Sequence, residues 1–221
     1  MQTQEIFFTT SSGELAYVLG FFAADGNVSI NKKGGHYISF QSKDFQIIKD
    51  IRNSIGSKNK ISKRKSPLTQ GCWYRLQIGS KAIVTTLMDM GFSTKKTGHL
   101  PLPNIPKEFF PDFVRGYFDG DGNIWQGLVH KERKTSHLVL QLAFTSASMS
   151  FLRTLQSNLT EILNTHGTVV GSKNATYGRL QYSTGDALKI YNFMYNTNAS
   201  YLSLRRKKKQ YQSAIAAVAQ R

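Results

Sequence analysis

The chain has 221 residues, which is enough for one large domain or two small ones with a buried core. Hydrophobic residues make up 40% and charged residues 19%, which excludes an intrinsically disordered protein. Lysine and arginine total 29 against 13 acids, and the net charge of +16 favours nucleic acid as a partner, while the single cysteine, Cys72, excludes an internal disulfide or a thiolate zinc cluster.

The first half of the chain predicts the order helix, two strands, helix, two strands, helix. Ser12 can cap a first helix that runs to about Ala24 and ends at Gly26. Two hairpins are predicted, at residues 27–33 with 36–41 and at residues 58–65 with 72–78. Between them, apolar residues recur at helical spacing: Phe45, Ile48, Ile51 and Ile55.

Residues 98–111 separate the two halves and contain four of the five prolines. Proline removes a backbone donor and forces the preceding residue to be extended, so this segment predicts a stiff connector. Pro111 with Asp112 makes a plausible helix start. The predicted domains are therefore a first repeat at residues 1–97, the connector at 98–111 and a second repeat at 112–221.

The second half predicts the same order of elements as the first. A strand is indicated by the alternation of Leu138, Leu140, Leu142 and Phe144, and a helix by Phe151, Leu152, Leu155, Leu159 and Ile162. Residues 17–30 also align with residues 113–126, and six of those 14 positions are identical. The chain therefore predicts two copies of one unit of about 100 residues.

The outward positions of the predicted strands are rich in Arg, Lys, Gln, Asn and Ser. A solvated sheet face is the alternative, but such a face usually mixes acids with bases, whereas residues 58–75 hold six Lys or Arg and no acid. We therefore predict nucleic-acid contacts on this face. The predicted contact residues are Asn27, Ser29, Asn31, Lys33, Gln41, Lys60, Ser62, Lys63, Arg64, Trp73, Arg75 and Gln77 in the first repeat, and Trp125, Gln141, Thr145, Lys173, Arg179 and Gln181 in the second.

Each duplicated helix carries two small residues four positions apart, at Gly20 and Ala24 and at Gly116 and Gly120. Residues at that spacing share one face of a helix, and small residues there let two helix backbones approach closely. Packing through these faces would bring together the two helix ends, where the chain has Asp25 and Asp121.

Two aspartates at the negative ends of helix dipoles repel one another. A divalent cation would relieve that repulsion, and carboxylates with backbone carbonyls suit Mg²⁺, which can support phosphodiester hydrolysis. The alternative is that each Asp-Gly-Asn sequence only caps a helix and forms a turn. An EF-hand loop starting at Asp119 is excluded, because its sixth and twelfth positions hold Ile124 and His130.

Residues 18–26 and 114–122 resemble the two LAGLIDADG motifs of monomeric homing endonucleases, and the resemblance extends from about residue 15 to residue 212. It implies an α+β fold of two pseudo-symmetric αββαββα repeats, whose antiparallel sheets form a DNA-binding saddle. It also implies a monomer that cuts double-stranded DNA at a specific site, with Mg²⁺ as cofactor. We expect a long, non-palindromic target, with Mn²⁺ as an alternative metal and Ca²⁺ supporting binding without efficient cleavage.

The resemblance further implies the residues of the catalytic site. The metal would be held by Asp25 and Asp121, with help from the carbonyls of Ala24 and Gly120. One motif position departs from the family pattern, because the first motif has Ala23 where the second has Asp119.

Two pairs of polar residues complete the catalytic site that the resemblance implies. A lysine late in each half corresponds to Lys96, with Lys95 as the alternative, and to Lys207. The polar residue that organises water corresponds to Asp44 and Ser148. Both have a structural alternative as helix N-caps, and Lys207 has one as part of a solvated basic run.

Two other functions compete with the endonuclease. Some family members are RNA-splicing maturases, for which host intron RNA would be a partner, but the intact Asp25 and Asp121 argue against a pure maturase. A non-catalytic DNA-binding protein on the same scaffold is the second alternative. A glycosidase with two carboxylates would leave the charge and the basic strands unexplained.

The chain predicts no membrane partner. Its longest nearly unbroken apolar run, residues 15–24, is about half the length that spans a bilayer. The first residues lack the basic-then-apolar order of a secretory signal. We therefore expect a soluble intracellular protein, in the cytoplasm or an organelle matrix.

Overall fold

The structure is a computed structural model that describes residues 3–65, 71–94, 98–129, 137–171, 176–196 and 200–219. The helices in these ranges are α1 (Thr3–Thr9), α2 (Gly13–Asp25), α3 (Phe45–Ser54), α4 (Lys81–Asp89), α5 (Phe110–Asp121), α6 (Met149–Leu163), α7 (Thr184–Tyr195) and α8 (Arg205–Ala219). The strands are β1 (Gly26–Ile30), β2 (His36–Ser42), β3 (Ile61–Lys65), β4 (Cys72–Gly79), β5 (Gly122–Val129), β6 (His137–Ser146), β7 (Thr168–Gly171) and β8 (Gly178–Tyr182). None of the helices in the described ranges has the length and apolar character needed to cross a bilayer.

The chain divides into two compact units. The first comprises Met1–Gly120 with Asn198–Leu204, and the second comprises Asp121–Thr197 with Arg205–Arg221. Helix α5 opens the predicted second repeat, yet it belongs to the first compact unit up to Gly120. The first compact unit therefore contains α2 and nearly all of α5. The predicted boundaries of the sequence repeats stay a prediction.

The first unit contains an antiparallel sheet of four strands in the order β1-β2-β4-β3. Alternate residues of these strands face α2, α3 and α4, because side chains on a strand point to opposite faces in turn. The core face of the sheet carries Val28, Ile38, Phe40, Leu76 and Ile78, all of which are buried.

The second unit repeats this arrangement with a sheet in the order β5-β6-β8-β7, contacted by α6, α7 and α8. Its buried face includes Leu140, Leu142, Phe144 and Leu180. The predicted α+β fold with two αββαββα repeats is therefore confirmed. Helices α1 and α8 are additions that the periodicity did not predict.

The predicted first helix agrees with α2 at both ends. The Ser12 side chain accepts a hydrogen bond from the Leu15 backbone N–H at 3.1 Å, as an N-cap does. Gly26 follows the helix, and a Cβ at that position would overlap the Phe22 ring. The absence of a side chain at Gly26 thus lets the chain turn directly from α2 into β1.

The predicted bounds of two strands are wrong, and one of them is β3, which begins at Ile61 and not at residue 58. Strand β1 ends at Ile30, because the Asn31 side-chain oxygen accepts hydrogen bonds from the backbone of Lys33 and Gly35 at 3.0 and 2.7 Å and closes a turn. Of the residues that recur at helical spacing, Phe45 and Ile162 are exposed, whereas the neighbouring Ile47 is buried. The helical spacing identified each helix correctly but not the limits of its buried face.

Candidate functional site

Helices α2 and α5 contact each other backbone to backbone through Gly20 and Gly116. A Cβ on Gly20 would overlap the Phe113 carbonyl oxygen, and a Cβ on Gly116 would overlap the Tyr17 carbonyl oxygen. The contact is symmetric, because the overlapped carbonyl on each helix lies three residues before the glycine of that same helix. The predicted packing of the two motif helices through their small residues is therefore confirmed.

The close approach of the helices continues to Gly120. A Cβ there would overlap the Ala24 Cβ and lie 3.4 Å from the Asp25 carboxylate oxygen Oδ2. The Gly120 backbone and the Asp25 carboxylate are therefore neighbours within the first unit. Asp121 is the next residue of the chain, and both aspartates are partly exposed.

The donors at this position suit a divalent metal ion. Carboxylate and backbone carbonyl oxygens are the hard ligands that Mg²⁺ prefers. The described part of the chain has no group of three or more His, Cys, Asp or Glu residues that could hold a metal. A metal beside Gly120 would therefore need backbone oxygens as well as the Asp25 carboxylate.

Lys207 is held in place within the second unit. It lies on α8, and its Nζ donates a hydrogen bond to the Gly122 carbonyl oxygen at 2.8 Å. Its side chain is partly buried, whereas Arg206 and Lys209 of the same basic run are exposed. Lys207 is therefore more than a freely solvated member of the basic run, and its catalytic role stays a prediction. The other predicted lysines of the catalytic site, Lys96 and its alternative Lys95, lie outside the described residues.

Asp44 and Ser148 each cap the N-terminus of a helix. The Asp44 Oδ1 accepts from the Gln46 backbone N–H at 2.9 Å, and the Ser148 Oγ accepts from that of Phe151 at 3.3 Å. Ser148 is only 1% exposed, whereas Asp44 is partly exposed. The capping alternative is confirmed for both residues, and their role in organising water stays a prediction.

Polar residues cross the outer face of the first sheet in two rows. Directly paired residues on antiparallel strands share a face, so the strand register assigns each row. The rows are Asn27, Ser39 and Gln77 in one, and Gln41, Arg75 and Ser62 in the other. The same face carries the pairs Ser29 with Tyr37 and Arg64 with Trp73.

The second sheet has equivalent rows at the positions that the repeat predicts. They are Asn123, Ala143 and Gln181 in one, and Thr145, Arg179 and Val170 in the other. Trp125 pairs with Gln141 beside the first of these rows. The side chains around them line a depression of about 290 Å³.

Several predicted contact residues do not lie on these faces. Lys63 pairs with Tyr74 on the opposite side of the sheet, so its neighbours Ser62 and Arg64 face the other way. Asn31 and Lys33 lie in the turn after β1. Lys60 is exposed and precedes β3, and Lys173 lies outside the described residues.

The sequence analysis missed several residues of the two outer faces, among them Tyr37, Ser39, Asn123 and Thr168. A signal was present for Asn123, because it aligns with Asn27 in the repeated motif. Ser39 is buried and accepts a hydrogen bond from the Arg75 guanidinium at 3.3 Å.

No carboxylate on the described strands neutralises the positive charge of these faces. None of the eight described strands carries Asp or Glu. Burial, and after it the charge of Arg64, lowers the pKa of Arg75 below its ordinary value. Two tryptophans are also exposed on the outer faces, Trp73 at 36% and Trp125 at 46%. Repelling guanidiniums beside exposed aromatic rings are typical of a surface that binds a polyanion such as nucleic acid.

The chain is similar to known proteins in both sequence and fold. Residues 12–91 match the family described as LAGLIDADG-like domain. A segment of 117 residues, 51% of the chain, is 29% identical to the uncharacterized protein MJ0398 of Methanocaldococcus jannaschii and spans 40% of that relative's length.

Solved structures match over most of the chain. A double mutant of I-SmaMI has a TM-score of 0.67 at 14% identity, with 95% of this chain and 91% of that chain covered. The LAGLIDADG homing endonuclease I-LtrWI bound to target DNA has a TM-score of 0.62 at 14% identity, with 97% and 90% covered. The meganuclease I-AabMI bound to uncleaved DNA has a TM-score of 0.63 at 16% identity, with 92% and 90% covered. The predicted resemblance to the LAGLIDADG family is thus confirmed: residues 12–91 match the LAGLIDADG-like domain, and the fold of the chain is similar to that of two-domain LAGLIDADG homing endonucleases.

Proposed function

We propose that this protein is a site-specific endonuclease that cuts double-stranded DNA with a divalent metal ion. The observation that carries the proposal is that arginine and glutamine side chains repeat at equivalent positions on the outer faces of two sheets, and that the described strands of these sheets contain no acid. The fold supports it, because I-LtrWI and I-AabMI have similar folds and were determined bound to DNA.

The two polar faces have the side chains needed to read base edges. Arginine can pair with guanine and glutamine with adenine through two hydrogen bonds each, and the equivalent pairs Arg75 with Arg179 and Gln77 with Gln181 repeat in both sheets. Elsewhere the faces differ, since Ser29 corresponds to Trp125. We therefore propose a long target whose half-sites are similar at the repeated contacts and different elsewhere. Action as a monomer and binding of host intron RNA stay predictions.

The proposed catalytic residues lie at the ends of the two motif helices. The carboxylates of Asp25 and Asp121, with the carbonyls of Ala24 and Gly120, would hold Mg²⁺. When bound, Mg²⁺ supplies an activated water and stabilises the oxygens of the phosphodiester displacement.

Polar side chains near the motif helices would assist the reaction. The Lys207 ammonium donates to the Gly122 carbonyl, one residue after Asp121, and would stabilise negative charge on the scissile phosphate. Lys96 is assigned the same role in the first half. Asp44 and Ser148 would orient water in addition to capping their helices.

Selection from a library of randomised duplexes tests the function directly. We expect cutting of one enriched, non-palindromic sequence in Mg²⁺, and binding without efficient cutting in Ca²⁺. A perfectly palindromic sequence would contradict the reading of two different half-sites. A library that is neither enriched nor cut would overturn the endonuclease itself.

Adjacent residues of β3 test whether DNA binds the outer face of the first sheet. Arg64→Ala removes a cation from the face with Trp73, whereas Lys63→Ala removes one from the opposite face, and both side chains are exposed. We expect Arg64→Ala to weaken DNA binding by about tenfold and Lys63→Ala to change it by less than about twofold.

The measurement is fluorescence anisotropy with the selected duplex at several salt concentrations. Log affinity falls as log salt rises, and loss of one phosphate contact would make the slope of that line less negative by about 0.9. Equal losses in the two variants would show that only net charge matters and would contradict the assigned face.

A further inference from the structure

Helix α5 carries a buried row of charged residues besides the motif aspartate Asp121. Asp112, Arg115 and Asp119 stand at positions i, i+3 and i+7 and therefore share one face of the helix. Their exposures are 0%, 2% and 2%. Buried charges are costly unless they are paired or hydrogen-bonded, so the partners of this row define what it does.

Two of these residues bind the backbone of the segment before α8, within the first unit. Arg115 donates from Nε to the Leu202 carbonyl at 2.9 Å and from Nη2 to the Ser200 carbonyl at 3.0 Å. Asp112 forms an ion pair with Arg115 and accepts from the Ser200 backbone N–H at 3.1 Å. Residues 200–204 are thus held by side chains of a helix instead of by a neighbouring strand.

Asp119 holds the end of the same segment. Its Oδ2 accepts hydrogen bonds from the Tyr17 hydroxyl at 2.7 Å and from the Leu204 backbone N–H at 2.6 Å. Leu204 is itself 2% exposed and is the last residue before α8 begins. The Asp119 carboxylate is therefore hydrogen-bonded both to α2 and to the residue that precedes α8.

A second anchor lies three residues further along both segments. Gly122 lies three positions after Asp119, and Lys207 lies three positions after Leu204. Within the second unit, the Lys207 ammonium donates a hydrogen bond to the Gly122 carbonyl oxygen at 2.8 Å. The Leu204 amide and the Lys207 ammonium are therefore each bound by the chain around Asp121. One anchor uses a buried carboxylate and the other uses a backbone carbonyl.

We propose that Asp119 is a positioning residue that places Lys207 through Leu204, and that it is not a metal ligand. This inference rests on the proposed endonuclease function. It also explains the departure at Ala23, where the first motif has no acid: the missing carboxylate belongs to a structural anchor that only the second motif supplies. Ala23 is buried at 4% exposure, like Asp119, but has no carboxylate to bind a backbone amide.

The test compares Asp119→Ala and Asp119→Asn with Lys207→Met, in single and double variants. A small displacement of a catalytic group can reduce the rate by about 100-fold, so we expect Asp119→Ala to lower kcat to that extent with little change in KM. Asp119→Asn should retain most of the activity, because one amide oxygen can accept both hydrogen bonds. In the Lys207→Met background, Asp119→Ala should cause no further loss.

Lys209→Met is the matched control, because Lys209 belongs to the same basic run and is exposed. It should leave the rate unchanged, and Asp119→Ala should keep its full effect in that background. Additive losses of Asp119→Ala and Lys207→Met would overturn the proposal. So would an Asp119→Asn protein as inactive as Asp119→Ala, because the negative charge would then be the required property.

Hydrogen exchange gives a readout that does not depend on cleavage. The Leu204 amide should lose protection from exchange in Asp119→Ala and keep it in Asp119→Asn. If Asp119→Ala does not fold, Tyr17→Phe replaces it in this measurement, because it removes the hydroxyl that also donates to Asp119. Unchanged protection of the Leu204 amide would overturn the anchor even if the wild-type enzyme cuts. A wild-type protein that does not cut would instead overturn the endonuclease, while the exchange result stands.

Discussion

Asp25→Asn and Asp121→Asn should each abolish double-strand cleavage while leaving binding of the target DNA largely intact. Asparagine keeps the shape of the side chain and one carbonyl oxygen, so the packing of α2 on α5 should survive. It lacks the negative charge that, in the proposed site, would hold a divalent cation beside the scissile phosphate. We expect the cleavage rate to fall by about 10³-fold, the upper end of the loss caused by removing one electrostatic group at a reaction centre.

A gel shift and a cleavage assay on the same duplex separate binding from cutting. Asp89→Asn is the matched control, because Asp89 is also the last residue of a helix and is exposed in α4, away from the motif helices. That variant should cut at the wild-type rate. Binding of the two motif variants in the absence of metal should be equal to or tighter than that of the wild type, because a negative charge near the phosphates has been removed.

Two outcomes would contradict the metal centre. If either motif variant cuts normally, that aspartate does not hold the metal. If both variants lose binding as completely as cleavage, the aspartates act as structural caps. Loss of cleavage in Asp89→Asn would show that the assay reports general damage to the protein.

Gly20→Ala and Gly116→Ala should each lower the free energy of unfolding by about 3 kcal/mol, the upper range for overpacking a tight contact. The added methyl group would overlap a backbone carbonyl of the partner helix, and it would lie 2.9 Å from the nitrogen of Tyr117 in one case and of Phe21 in the other. A backbone atom cannot rotate away as a side chain can. In an unpacked helix the same change would stabilise by about 0.5–1 kcal/mol, so a loss reports the contact itself.

Urea unfolding followed by fluorescence and circular dichroism measures this effect. Gly185→Ala is the control, because Gly185 lies in α7 and a Cβ there meets no atom within 4 Å. That change should be neutral or stabilising. If Gly20→Ala and Gly116→Ala are tolerated as well as Gly185→Ala, the close contact of α2 with α5 is wrong.

Much of the fold follows from local patterns. The Ser12 cap, the alternation of Leu140, Leu142 and Phe144, and the repeated glycines all reflect rules that act over a few residues. Helical spacing, strand alternation and capping depend on backbone geometry that is the same in every protein. The repeat adds long-range information, since two copies of one pattern predict two copies of one unit.

Local patterns did not predict which residues of β3 lie on the outer face of the sheet. Ser62, Lys63 and Arg64 are all polar and exposed, so alternation alone does not tell which of them shares a face with Arg75. Only pairing with β4 places Arg64 beside Trp73 and Lys63 beside Tyr74. Register is a property of two strands together, and a shift of one residue would reverse every side chain.

The sequence alone thus predicts the two repeats, their helices and strands, the glycine contact and the motif aspartates, because these depend on local periodicity and on the duplication. The tertiary structure decides which polar side chains share a face and what Asp119 and Lys207 bind. Their partners, Leu204 and Gly122, are each 85 residues away, and no local pattern encodes a hydrogen bond across that separation. Such contacts form only when the chain folds back on itself, so side chains that look equivalent in a basic run or a motif acquire different roles.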